Sequence, residues 1–190
     1  MSPILGARGG LSASAYGFTS VVAAAVGDYQ SIATLSGTGS SGTIAFTSIP
    51  NTYKHLQIRA SYQCSTTDNP YIRVGGSSID SGSNYSWHHL YGDGSSALSN
   101  GNGSQSFTYF GYSQNTTNPN ASVIDILDYA SVNKNKTLRT LTGQDNNGGG
   151  ELAIWSGSWQ NSSTAIGSIS LITGGNFSTA SRFALYGIKG

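Results

Sequence analysis

Charge is what this chain has least of. Only 9% of its 190 residues are Asp, Glu, Lys or Arg, against about 25% in an average soluble domain. Net charge is +1 and the nine basic residues stand singly. No clustered Lys/Arg surface is available to neutralise phosphates, which argues against nucleic acid as a partner. One cysteine, Cys64, excludes an intrachain disulfide and a thiolate metal cage. At the end of an alternating segment it reads as a small apolar residue for the interior. No apolar run reaches the roughly 20 residues of a membrane-spanning helix. Residues 18–26 (Phe-Thr-Ser-Val-Val-Ala-Ala-Ala-Val) are too short, and too weakly led by the single base Arg8, to read as a cleaved leader.

Catalytic patterns are equally scarce. There is no Gly-x-Ser-x-Gly elbow, and Gly148-Gly149-Gly150 is followed by neither Lys-Ser/Thr nor a helix, so it is not a phosphate loop. His88 and His89 near Asp93 are the one grouping that resembles metal ligands. Neighbours on a strand face opposite ways, so the expectation is one histidine packed beside Trp87 and one exposed. A glycoside hydrolase needs two carboxylates converging across a cleft. Asp125 and Asp128, three apart on a strand, point to opposite faces and cannot form that pair with each other. The sequence therefore predicts no enzyme, no cofactor and no metal site.

What is present is strand and turn. Over Thr43–Cys64, Ile44 and Phe46 alternate with small or polar neighbours; a corner follows at Ile49-Pro50-Asn51-Thr52. Leu56, Ile58, Ala60 and Tyr62 then resume the period of two. Pro50 ends the first strand, because it donates nothing to a ladder and fixes its own φ. The two strands are expected in opposing layers. Further strands are read at Tyr29–Leu35, Tyr71–Val74, Trp87–Tyr91, Ser106–Tyr112, Ser122–Tyr129, Thr137–Thr142, Leu152–Trp155, Ile166–Thr173 and Arg182–Ile188. The apolar content of Ser122–Tyr129 reads as burial on both sides or as a sandwich centre. Asp145–Gly150 is a loop of residues that tolerate positive φ. No segment keeps a helical period over three turns, and there is no internal repeat. The expected fold is an all-β antiparallel sandwich, jelly-roll-like, of about ten strands over residues 28–190.

Residues 1–27 are different. Gly6, Gly9, Gly10 and Gly17 interrupt any regular element, yet Ile4, Leu5, Leu11, Tyr16 and Phe18 are too apolar for a solvated linker. Two readings stand, a disordered terminus in the isolated chain and, the one favoured, an extended arm that anchors on a neighbouring subunit or larger assembly. Asp125 shares a strand face with Val123 and Leu127, predicting partial burial and an ion pair with Arg59 or Arg139 on adjacent strands. Eleven Tyr and three Trp offer flat faces on which sugar rings stack, with Trp155 and Trp159, or Tyr85, Trp87 and Tyr91, as platforms. The same rings would equally serve to fill the sandwich or a subunit seam.

Several stretches together resemble the small β-rich virion proteins and C-terminal fibre domains of tailed bacteriophages. They are Gly6-Ala7-Arg8-Gly9-Gly10-Leu11, Ile44-Ala45-Phe46-Thr47-Ser48-Ile49-Pro50 and Tyr53-Lys54-His55-Leu56-Gln57-Ile58-Arg59. Gly82-Ser83-Asn84-Tyr85-Ser86-Trp87-His88, Ile124-Asp125-Ile126-Leu127-Asp128-Tyr129-Ala130 and the ending Phe183-Ala184-Leu185-Tyr186-Gly187-Ile188-Lys189-Gly190 complete the set. The resemblance implies a virion location, assembly as a homotrimer with other virion proteins, and no catalytic residues. It leaves open a tail fibre touching host surface glycan and a capsid decoration protein. A secreted carbohydrate-binding module is a third possibility, which needs neither arm nor trimer.

Overall fold

The computed structural model describes residues 28–112 and 118–190. The anchoring residues Ile4, Leu5, Leu11, Tyr16 and Phe18 lie outside the described residues. Twelve antiparallel strands form two sheets, with no helix among the described residues. The larger sheet runs in the order β1 (Tyr29–Ser36), β12 (Arg182–Ile188), β3 (His55–Tyr62), β8 (Asn120–Leu127), β9 (Lys136–Asp145), β10 (Gly150–Trp159), β5 (Tyr85–Gly92), β6 (Ala97–Gln105). The smaller runs β2 (Thr43–Phe46), β11 (Ser168–Ile172), β4 (Tyr71–Gly75), β7 (Thr108–Tyr109).

Without the hairpins β5–β6 and β9–β10, two four-stranded sheets remain, β1-β12-β3-β8 facing β2-β11-β4-β7. The chain crosses between them at every step except β4 to β7, which is the winding of a jelly roll. The two hairpins are insertions that lengthen one sheet only. This asymmetry leaves part of the longer sheet's inner face beyond the reach of the shorter one.

The corner at Ile49–Thr52 does what its composition dictates. β2 and β3 lie in opposite sheets, and Ser48 takes the left-handed conformation at φ 54°. Ile49 is buried and its N–H donates to the Gly167 carbonyl at 3.0 Å. The Tyr129 hydroxyl donates to the Pro50 carbonyl and accepts from the Tyr53 N–H. The period-two residues Leu56, Ile58 and Tyr62 are fully buried, and Ala60 nearly so. At the centre Tyr62 meets Phe110, Phe177 and Phe183 with ring centroids 5.5, 6.1 and 6.0 Å apart.

One expectation needs correction and another is narrowed. The strand count is twelve, because β6, read from sequence as part of a polar excursion, pairs along β5 from Gly92↔Ala97 to Tyr85↔Gln105. And of the two readings of Ser122–Tyr129, β8 is the central strand, between β3 and β9, and not one buried on both sides. Ile124 and Ile126 face inward at 0% exposure while Val123 and Leu127 face solvent at 37% and 38%; only one face of the longer sheet has a sheet to pack on.

Candidate ligand cleft

The inner-facing residues of β5 are Tyr85, Trp87, His89 and Tyr91, and those of β10 include Ala153, Trp155, Gly157 and Trp159. Register sets them side by side: Trp159 opposite Tyr85, Gly157 opposite Trp87, Trp155 opposite His89, Ala153 opposite Tyr91. What differs along this face is the cover. Tyr85 and Trp159 belong to the main core under the smaller sheet. The Tyr85 hydroxyl accepts from Val74 N–H at 3.0 Å, and Trp159 donates its indole N–H to Asp80 at 2.8 Å. Both are sealed in and present no face to solvent.

Trp87, Ala153 and Trp155 form a separate cluster, flanked by Tyr91 and Tyr109. Its roof is β7, the last strand of the smaller sheet. Tyr109 packs on Trp87 and Trp155 with centroids 5.2 and 5.1 Å apart. β7 can come this close because residue 157 is glycine: a Cβ there would lie 2.3 Å from the Thr108 hydroxyl. Past β7 the smaller sheet stops, and the inner face of β10, β5 and β6 opens into a cleft of about 530 Å³. Its floor is His89, set between Trp155 (ring centroids 4.1 Å apart) and Tyr91 (5.0 Å), both rings tilted against it by 42° and 45°. Asn69, Ser99, Asn100, Asp93 and Glu151 supply polar walls, and Leu98 and Tyr112 apolar ones.

The cleft's chemistry is aromatic and acidic. Burial keeps the His89 imidazole neutral to lower pH than usual. Burial, and then repulsion from Asp93, raise the Glu151 carboxyl above its ordinary range. Asp93 is held below it by hydrogen bonds from the Ser95 and Ser96 backbone and the Ser95 hydroxyl. Trp87 Nε1, Trp155 Nε1 and His89 Nδ1 are buried without a hydrogen-bond partner in the protein. Natural interiors keep such groups rarely, and where they do the explanation is commonly function or bound water. Of the residues singled out from sequence as sugar contacts, Trp87, Tyr91 and Trp155 are brought together, while Tyr85 and Trp159 are placed elsewhere. His89 was missed as a contact. Its position two residues from both Trp87 and Tyr91 on one strand was the available signal.

Asp125 lies on the outer face of the longer sheet, where Arg139 of β9 reaches it at 2.8 Å. Arg59 is tied to it through Gln57, which donates to Asp125 at 2.8 Å and accepts from Arg59 at 2.9 Å. Beside this group runs an apolar row. Leu90 of β5 is opposite Ile154 of β10, Ile154 opposite Leu141 of β9, and Leu141 opposite Val123 of β8. Leu90, Ile154 and Leu141 are 55%, 50% and 51% exposed. As for the histidines, His89 packs beside Trp87 and His88 is exposed. No group of three or more His, Cys, Asp or Glu side chains suited to hold a metal occurs among the described residues. No helix among them is long and apolar enough to cross a membrane.

The chain matches no family model, no curated protein and no solved structure.

Proposed function

We propose that this protein is a non-enzymatic bacteriophage virion protein of the tail-fibre or receptor-binding kind, whose sandwich recognises a host-surface glycan through the cleft over His89, Tyr91 and Trp155. The observation that carries the glycan reading is the cleft itself. A half-open aromatic floor suits the C–H faces of a sugar ring, and the amides and carboxylates around it suit hydroxyls. The virion setting rests on the resemblance stated above and on the sparse charge of the chain, 9% of its residues. In this reading residues 1–27 anchor the sandwich to the particle.

The test is adsorption. Added protein is expected to compete with phage for host cells, and Tyr91→Ala to compete at least about tenfold less well, the loss expected from removing one buried aromatic contact. Equal competition by wild type and variant refutes the assignment of the cleft. Labelling particles for electron microscopy checks the setting: a receptor-binding protein sits at the tail.

A second reading, a capsid decoration protein, is favoured by the row Leu90–Ile154–Leu141–Val123. Exposed apolar rows of this kind mark contact surfaces, and the occupant we assign is a second copy of this chain, as in a homotrimer. Leu141→Lys with Ile154→Lys is then expected to leave a folded monomer by light scattering, since both side chains are exposed in the single chain and neither holds its core. An unchanged oligomeric state would remove this face from the assembly.

A further inference from the structure

Resting on the glycan reading of the cleft, we infer that its ligand carries no negative charge: a neutral or amino sugar, with uronic, sialic and sulfated sugars rejected. The residues lining the cleft include two carboxylates, Asp93 and Glu151, and no Lys or Arg. The adjoining depression, which shares Asp93, Gly150 and Glu151 with it, adds Asp145 and again no Lys or Arg. The one ring that could become cationic, His89, is kept neutral by burial. An acidic sugar seated on the floor would thus meet two or three carboxylates and, among the described residues that line the site, no counter-charge.

The site is built rather than incidental. Trp155 lines the cleft at 3% exposure with its indole N–H unpartnered. One carboxylate wall is already sensitive to like charge, since Asp93 is a cause of the rise at Glu151. The second carboxylate is fixed in place, because one Asp93 oxygen accepts from Ser95 N–H, the Ser95 hydroxyl and Ser96 N–H at 2.7–2.9 Å. A rim acid so anchored cannot swing away from an incoming anion. A like charge brought into contact range in a half-open site costs about a tenfold factor in affinity, more with two.

The experiment is a glycan array carrying neutral, amino and acidic oligosaccharides, probed with the full chain, Tyr91→Ala, and Asp93→Asn with Glu151→Gln. Binding by the full chain that Tyr91→Ala abolishes is expected on neutral or amino sugars only. Acidic counterparts are expected at least about tenfold weaker at low salt. The double amide variant is expected to narrow that gap, read as the ratio of neutral to acidic binding within the variant itself, since its amides still hydrogen-bond hydroxyls but carry no charge. Tyr91-dependent binding of acidic sugars as strong as neutral ones overturns the charge rule and leaves the glycan reading standing. An unchanged gap in the double variant also overturns it. Absence of any Tyr91-dependent signal overturns the glycan reading and the charge rule with it.

Discussion

Truncating Phe183 to alanine is expected to cost about 3–5 kcal/mol of folding stability. The side chain is fully buried, on β12, and its ring lies 4.9 Å from Phe177 and 6.0 Å from Tyr62. β12 pairs with both β1 and β3, so its neighbours are held by two ladders and cannot collapse into the space. The transfer loss and the cavity then add. Against a total of about 5–15 kcal/mol for a domain of this kind, the loss is a large share of the fold's stability. Urea unfolding checks it: the midpoint falls while the slope with denaturant stays the same. A stability within about 0.5 kcal/mol of wild type would place the core elsewhere than between these two sheets.

The second large effect is expected from Gly157→Val. A Cβ at residue 157 would lie 2.3, 2.8 and 2.9 Å from three atoms of the Thr108 side chain. Thr108 is β-branched and 1% exposed, so its rotamer has little freedom to yield. β7 must lift from β10 and carry Tyr109 off Trp87 and Trp155. Overpacking of this kind costs about 1–3 kcal/mol, a moderate drop in melting temperature. The larger consequence is for the cleft, because Trp155, which lines it, loses the Tyr109 ring packed on it. Ligand binding is expected to disappear although the main core, around Tyr62, is untouched. Full binding by Gly157→Val would mean that β7 does not order the floor.

How much of this was legible in the sequence depends on whether the signal was local. The corner of Thr43–Cys64 was, because Pro50 and the alternation on either side of it act within a few residues. The side of each residue on β5 was legible too. Period two alone puts His89 between Trp87 and Tyr91 and turns His88 outward. β6 was not, because Ala-Leu-Ser-Asn-Gly-Asn-Gly-Ser-Gln carries no apolar alternation and eight of its nine residues are exposed. An edge strand held by backbone bonds to one neighbour leaves little mark on composition. Trp155 and Trp159, four apart on one strand, share a face by sequence and differ only in what lies above them. One sits below β7 at the rim and the other under the sheet interior, a distinction made by strand order across the whole chain. That Ser122–Tyr129 read equally as buried twice or as a sandwich centre has the same origin. Val123 and Leu127 are apolar without being covered, and their exposure marks the outer face of the longer sheet.

The most direct measurement of the central claim is tryptophan emission during titration with the glycan that gives the strongest signal on the array, in the full chain and in Tyr91→Ala. Two of the three tryptophans, Trp87 and Trp155, stand in the cluster that floors the cleft. The account predicts a saturable change in emission in the full chain, and no saturation over the same concentration range in Tyr91→Ala. Saturation at the same concentration in both proteins would show that sugar binds somewhere other than this cleft, and would contradict the account.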